Sequence, residues 1–205
     1  MNGIETVHLA VYDTMADWEP GQAIAHINSQ QWQRSPGRFR VRTVAETREP
    51  ITTMGGVRIV PDLTVAELEP ESSAMLIMAG DHRWGEGGNG PFATKAAQFL
   101  RAGTPVAAIC GATLGLARAG LLDEYDHTSN AAVYLQSSGY HGGDRYRDEP
   151  VVTDRGLITA GGTDPVDFAR HIFAKLGLYT SDVLDAWYRL YHDSDASAFA
   201  VLASA

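Results

Sequence analysis

Disulfide bonds, export signals and membrane spans find little support in this sequence. The 205 residues include one cysteine, Cys110, which excludes a disulfide bond within the chain. The amino-terminal segment MNGIETVHLAVYD has no basic leader, and no apolar run approaches the ~20 residues that cross a bilayer. We therefore expect a cytoplasmic protein that has no membrane partner.

Positive charge is also scarce. The chain has 16 Lys and Arg against 25 Asp and Glu, giving a formal net charge of −9, and its basic residues are scattered. Such a surface repels phosphate backbones, so nucleic acid is not an expected partner. No cofactor or metal is expected either, because the isolated HGGD segment at 141–144 cannot supply the several ligands that zinc requires.

The composition suits a single globular domain over residues 1–205. Hydrophobic residues make up 44% of the chain and charged residues 20%, a balance that allows a full core. Strand-like and helix-like segments alternate at 6–12, 19–32 and 39–45. This alternation predicts an α/β fold in which helices cover both faces of a parallel sheet.

Later segments extend the same pattern. ITTMGGVRIVPD predicts a hairpin appended to the sheet, and the tail at about 181–205 predicts helix. Trp187, Tyr188 and Tyr191 in that tail are expected to pack on the body or on another subunit. The remaining predicted elements are a strand at 74–80, helices at 91–103 and 165–176, an extended HTSN at 127–130, and a second hairpin at 150–162.

The only cysteine falls at a predicted joint between a strand and a helix. In AAICGATLGLA, Cys110 follows the short apolar run 106–109 and precedes a helical pattern. A thiol at such a corner faces the positive end of a helix dipole, which favours the thiolate. The segments YDTMADWE, AGDHRWGEGGNG and CGAT all follow predicted strands, so we expect them to meet at one site.

The sequence resembles the ThiJ/PfpI superfamily, which is related in fold to the class I glutamine amidotransferases. The resemblance rests on five segments in order: LAVYDTMADWEPGQAIAHI, GGVRIVPDLTVAEL, AMLIMAG, AAICGATLGLARAGLLD and VVTDRGLITAGGTDPVDFARHI. It implies a three-layer α/β/α sandwich with a flavodoxin-like, mostly parallel sheet and a nucleophile elbow. It also implies a homodimer.

The resemblance assigns roles to several residues. Cys110 takes the place of the elbow cysteine, and Glu19 that of the acidic residue whose carboxyl lies beside it. Gly80 and Asp81 replace a Gly-Gly pair whose N–H groups lie near the thiol, and Gly111 adds a further N–H group. The Asp81 carboxylate is expected to disfavour an oxyanion. A buried, protonated Glu19 would donate a hydrogen bond to the sulfur.

The departures from the family pattern concern the general base. Many family hydrolases have histidine directly after the cysteine, where this chain has Gly111. Other members supply a histidine from a later strand, at a position that aligns with Asn130, which we assign to substrate binding. The remaining candidate bases are His82 and His141, with His127 on the opposite face of its segment from Asn130.

Other residues receive structural or mixed interpretations. Trp84, in the glycine-rich loop, is expected to form an apolar surface of a mobile lid over a small ligand, or a subunit contact. His8 is expected in the core of the first strand. The helical His26, His171 and His192 are expected to be solvated or to lie at an interface.

The favoured hypothesis is a cysteine hydrolase of the amidase-like type that acts on a small molecule, with Cys110 as nucleophile. Peptide cleavage is not favoured, because neither neighbour of Cys110 can protonate an amine leaving group. GGTDPVDF lacks the His-x-Glu pair of amidotransferases, which disfavours glutamine-dependent ammonia transfer. The alternatives are hydratase or lyase chemistry on a glyoxal or an isonitrile, and a non-catalytic redox-responsive or protective protein.

Overall fold

A mostly parallel sheet organises the computed structural model of this chain, which describes residues 3–205. The strands are β1 (Glu5–Ala10), β2 (Phe39–Ala45), β3 (Ile51–Thr52), β4 (Arg58–Ile59), β5 (Leu63–Thr64), β6 (Met75–Met78), β7 (Val106–Ile109), β8 (Val151–Asp154) and β9 (Leu157–Ala160). The helices are α1 (Trp18–Ser29), α2 (Gly90–Ala102), α3 (Gly111–Arg118), α4 (Ala132–Gln136), α5 (Pro165–Leu176), α6 (Ser181–Tyr191) and α7 (Phe199–Leu202).

The main sheet has the strand order β5-β2-β1-β6-β7-β9-β8, in which only β8 runs antiparallel to its neighbour. Strands β6, β7 and β9 are buried along their whole length. This is why they read as continuous apolar runs, as strands covered on both faces do. Helices α1 and α5 pack together on one face, and α2 and α3 on the other. The predicted three-layer α/β/α fold is confirmed.

Two segments differ from the prediction. The ITTMGGVRIV hairpin forms, but β3 and β4 make a separate two-stranded sheet. The side chains of Asp13 and Asp17 accept hydrogen bonds from its backbone, which tie it to the loop after β1. The HTSN segment at 127–130 is extended only locally: among the described residues it forms one isolated β-bridge, between His127 and Tyr146, and is not part of a strand. Within residues 3–205, no helix is both long enough and apolar enough to span a membrane.

Helix α6, in the carboxyl-terminal tail, packs on the rest of the domain through a buried histidine. Trp187 is fully buried and donates a hydrogen bond from its Nε1–H to His26 Nε2 at 3.1 Å. The other ring nitrogen of His26 lies 3.1 Å from the Tyr179 hydroxyl. The expectation that His26 is solvated is therefore wrong, because its ring joins α1 to the tail.

We expect His26→Ala to lower the free energy of unfolding by about 2–4 kcal/mol, because the buried polar groups of Trp187 and Tyr179 lose their partner and a cavity forms. Urea denaturation at neutral pH measures this change. The control His192→Ala removes an exposed ring from the same tail and should cost less than about 1 kcal/mol. Equal costs for the two variants would contradict the assignment.

The difference in the free energy of unfolding between the unaltered protein and His26→Ala should also depend on pH. Burial lowers the pKa of His26 to about 4, whereas an unfolded chain has a value of about 6.5. Between these values the unfolded state binds a proton that the folded state does not, so the unaltered protein loses stability as the pH falls. The gap between the unaltered protein and His26→Ala should therefore be largest near neutral pH and shrink towards pH 4.

Candidate active site

Parallel strands bring the candidate site together at their carboxyl ends. Strand β1 leads into the loop before Glu19, β6 leads to Gly80, and β7 ends next to Cys110. These are the three loops that the sequence predicts to converge. A fourth segment, Gly162 after β9, also reaches the site. This residue was not predicted, although the Gly-Gly pair directly after the predicted strand could have indicated it.

Cys110 occupies a strained elbow between β7 and α3. Its backbone has φ 57° and ψ −123°, a combination that costs a residue with a side chain about 1–3 kcal/mol. Hydrogen bonds hold it there: the Cys110 N–H donates to the Ala160 carbonyl at 3.0 Å, and the Thr113 hydroxyl donates to the Cys110 carbonyl at 2.6 Å. The surrounding sheet and helix thus fix the direction of the thiol.

Two glycines allow the sulfur to lie against backbone. A Cβ atom built on Gly80 would lie 3.0 Å from Cys110 Sγ, and one built on Gly162 would lie 2.9 Å from it. Such contacts are too short for any side chain, so both positions require glycine while the sulfur keeps its place. The thiol is therefore enclosed by the ends of β6 and β9.

Glu19 lies in the first turn of α1 and is 1% exposed. Its Oε2 accepts a hydrogen bond from the Gly80 N–H at 2.5 Å. Its Oε1 is buried, has no hydrogen-bond partner within residues 3–205, and lies beside Cys110: a Cβ built on Gly162 would be 3.3 Å from Oε1 and 2.9 Å from the sulfur. Burial raises the pKa of Glu19 to about 7, although the Gly80 N–H and the neighbouring Cys110 thiol oppose this rise.

The surroundings of the thiol do not favour an isolated thiolate. Burial, followed by the charge of Glu19, raises the pKa of Cys110 to about 11. Hydrogen bonds from the Asn130 amide, at 3.4 Å, and from the Gly111 N–H act in the opposite direction but do not outweigh these effects. The expectation that the helix terminus by itself favours the thiolate is therefore wrong, because burial disfavours the charge more strongly.

Glu19 and Cys110 titrate as a coupled pair: the neighbouring thiol lowers the pKa of Glu19, whereas Glu19 raises the pKa of Cys110. The first proton leaves the pair near pH 7, and the second near pH 11, when two negative charges must share one buried space. Between these values the pair holds one proton and one negative charge. Donors face both possible sites of the charge, Gly80 at the carboxyl and Asn130 at the sulfur.

Unpaired backbone N–H groups lie beside the elbow. Within the described residues, the N–H groups of Asp81 and Gly111 have no oxygen acceptor. The Gly80 N–H, in contrast, is occupied by Glu19 and is not free to bind an oxyanion, which corrects its predicted role. The Asp81 side chain bonds to the Trp84 N–H and to Asn89. Its carboxylate is therefore held by its own loop.

Known proteins share this architecture. The DJ-1/PfpI family profile matches residues 5–175. The chain belongs to the DJ-1/PfpI family. It is 40% identical over 187 residues to the "Uncharacterized protease YoaZ" of Bacillus subtilis, covering 90% of this chain and 89% of that one. It is similar in structure to a thiJ/pfpI family protein from Bacillus anthracis, with 39% identity, a TM-score of 0.92, and coverage of 99% of this chain and 98% of that one.

A second solved structure extends the comparison. The DJ-1 superfamily protein Atu0886 from Agrobacterium tumefaciens is 29% identical, with a TM-score of 0.83 and coverage of 93% of this chain and 99% of that chain. The resemblance that the sequence segments indicate is thereby confirmed.

In this member of the DJ-1/PfpI family, no histidine within residues 3–205 forms a hydrogen bond with Cys110 or Glu19. His82 and His141 are both exposed, and the structure does not bring either to the thiol. His127 is buried between the Tyr125 carbonyl, at 2.8 Å, and the Tyr140 hydroxyl, at 3.2 Å. Asn130 does reach the sulfur, while its Oδ1 accepts the Gly162 N–H at 2.9 Å.

Trp84 also differs from its predicted role. It is 1% exposed, so it is neither the exposed surface of a lid nor a free subunit contact. Among residues 3–205, His, Cys, Asp and Glu side chains do not gather in groups of three or more that could hold a metal ion. The site thus consists of one thiol, one carboxyl, one amide and the backbone N–H groups of Asp81 and Gly111, which have no oxygen acceptor within residues 3–205.

We expect Glu19→Gln to shift the pH profile of Cys110 alkylation by iodoacetamide. In the unaltered protein the rate should begin to rise near pH 7, where the pair first loses a proton, because the remaining proton can then rest on Glu19 and leave a thiolate. In the variant the buried thiol ionises alone, which burial disfavours, so this rise should move upward by about one pH unit or more. The exposed Glu124→Gln serves as control and should leave the profile unchanged. Identical profiles for all three proteins would remove Glu19 from the account.

Proposed function

We propose that the protein is a cysteine-dependent hydrolase of the amidase-like type that acts on a small molecule. The observation that carries this proposal is the buried Glu19 carboxyl beside the Cys110 thiol, next to the N–H groups of Asp81 and Gly111, which have no oxygen acceptor within residues 3–205. A nucleophile, a proton donor and oxyanion donors are the groups that acyl transfer requires. The name of the relative YoaZ, an uncharacterized protease, supports a hydrolase-like role.

The first half of the reaction uses the single proton of the pair. With the proton on Glu19, the Cys110 thiolate attacks the carbonyl carbon, and a C–S bond forms as the π electron pair moves to oxygen. The N–H groups of Asp81 and Gly111 donate to this oxyanion. When the oxyanion collapses, the leaving group departs with the bonding pair and takes the proton of Glu19, which leaves a thioester and a carboxylate.

The second half restores the site. The Glu19 carboxylate accepts a proton from water while the water oxygen attacks the thioester carbon, as a general base does. The C–S bond then breaks, its electron pair returns to sulfur, and the acid product leaves. The absence of imidazole at the thiol favours small molecules with good leaving groups over peptides.

We expect Cys110→Ser to reduce turnover at least about 10³-fold against a panel of small esters, amides, a glyoxal and an isonitrile. Turnover of the esters or amides by the unaltered protein supports the hydrolase, and turnover of only the glyoxal or isonitrile supports the hydratase alternative. Equal activity in both proteins would exclude Cys110 from the mechanism. If no substrate turns over and peroxide oxidises Cys110 reversibly, the redox alternative replaces the hydrolase.

We also propose that the protein is cytoplasmic and, as the family resemblance implies, a homodimer. Of the tail residues, Trp187 is buried in its own domain, whereas Tyr191, Phe199 and Val201 are exposed. A better candidate is the surface formed by Trp18, Met54 and Val57, three exposed apolar side chains that line one cavity between α1 and the hairpin.

Val57→Asp should therefore convert a dimer of 22.1 kDa chains into monomers in light scattering coupled to gel filtration, because burying an unpaired charge opposes association. Val133→Asp changes a valine that is more exposed than Val57 and lies outside this surface, and it should leave the dimer intact. A monomeric unaltered protein, or a dimeric Val57→Asp variant, would overturn this proposal.

A further inference from the structure

The loop at residues 81–89, called here the Asp81 loop, is held in one conformation by side chains at both ends. Asp81 Oδ1 accepts the Trp84 N–H at 3.0 Å, and Oδ2 accepts the Asn89 side-chain amide at 2.9 Å. From α3, the Arg118 guanidinium donates to the carbonyls of Trp84 and Gly85. These hydrogen bonds hold the glycine-rich loop at Asp81, at Trp84 and Gly85, and at Asn89.

Trp84 anchors the same loop in the core. Its Nε1–H donates to the Tyr12 hydroxyl at 3.1 Å and to the Ala79 carbonyl at 3.0 Å. Its ring lies directly on α3, where a Cβ built on Gly115 would be 2.1 Å from Trp84 Cζ3 and one built on Gly111 would be 3.2 Å from Cδ1. The indole therefore occupies the space that side chains at these two helix positions would need.

We propose that Asp81 and Trp84 are positioning residues, which hold the backbone N–H of Asp81 beside Cys110 as an oxyanion donor. The backbone nitrogen of Asp81 lies 3.3 Å from the Cβ position on Gly111, next to the elbow, and its N–H has no acceptor within residues 3–205. The inference rests on the proposed hydrolase function, in which negative charge develops at this place.

This role explains two positions at which the site departs from the family pattern. Residue 81 is an aspartate because its carboxylate orders the loop that carries the donor, and its bonds to Trp84 and Asn89 turn it towards the loop. Residue 111 is a glycine because the indole and the Asp81 backbone both approach it closely. An N–H that is fixed before the reaction stabilises an oxyanion without reorganisation at the moment of reaction.

Two reactions of the same sulfur test the proposal. Acylation of Cys110 by p-nitrophenyl acetate develops an oxyanion, whereas alkylation by iodoacetamide displaces iodide and develops none. Asp81→Ala, which removes the acceptors, and Gly115→Ala, which forces the indole away, should each slow acylation about tenfold or more. Both variants should keep the alkylation rate within about twofold, because the thiol and Glu19 remain in place.

Matched variants separate positioning from general damage. Asp81→Asn should retain most of the acylation rate, since its amide oxygen accepts the Trp84 N–H and its NH2 group can donate to the unpartnered Oδ1 of Asn89. Arg83→Ala, on an exposed side chain of the same loop, should behave as the unaltered protein. Thermal unfolding and alkylation report whether each variant is folded.

The outcomes are distinct. Acylation that is unchanged in Asp81→Ala and Gly115→Ala, or slowed in equal proportion with alkylation, overturns the positioning role while the hydrolase proposal stands. If the unaltered protein shows no acylation that depends on Cys110, the hydrolase proposal fails and this inference fails with it.

Discussion

The contact between the Glu19 carboxyl and the Cys110 thiol is the constraint on which the rest of the site depends. Glu19 is buried and Cys110 is half-buried, so two negative charges in this space are disfavoured. The pair therefore keeps one proton over a wide range of pH. A reactive thiol in this protein requires that the proton rest on oxygen. The Asn130 amide favours that arrangement, whereas burial of the sulfur opposes it.

The fold supplies what this contact requires, a rigid frame around a strained residue. A positive φ at Cys110 persists only where neighbouring structure fixes it, and here buried strands on either side of β7 and the first turn of α3 do so. Gly80 and Gly162 then let these strand ends approach the sulfur. On the other side of the elbow, the indole of Trp84 fills the space beside α3. The packing that stabilises the fold therefore also fixes the position of the Cys110 thiol.

The elements that could be predicted from the sequence are those indicated by their own residues. The buried central strands follow from their continuous apolar runs, and α5 follows from the proline at its first turn and Gly177 after its end, which adopts φ 60°. The separate hairpin could not be predicted in the same way, because aspartates from a distant loop hold it. The burial of His26 likewise depends on a partner far along the chain, Trp187.

At the site, the order of motifs identified Cys110 and Glu19, but it did not give the direction of the thiol pKa. That direction depends on burial and on a neighbouring charge, which a linear pattern does not report. Trp84 was misread for a related reason: a tryptophan in a polar, glycine-rich segment suggests exposure, and the space that buries it exists only once α3 is folded against the loop. Sequence rules that use only neighbouring residues therefore fail where contacts with distant parts of the chain determine burial.

Infrared difference spectroscopy at a pH between the two ionisations tests most directly where the proton resides. Spectra of the unaltered protein minus Glu19→Gln and minus Cys110→Ser assign the bands of the two groups. The account predicts the C=O stretch of a protonated carboxyl at Glu19 and no S–H stretch from Cys110. A carboxylate band at Glu19 together with an S–H stretch at Cys110 would contradict it.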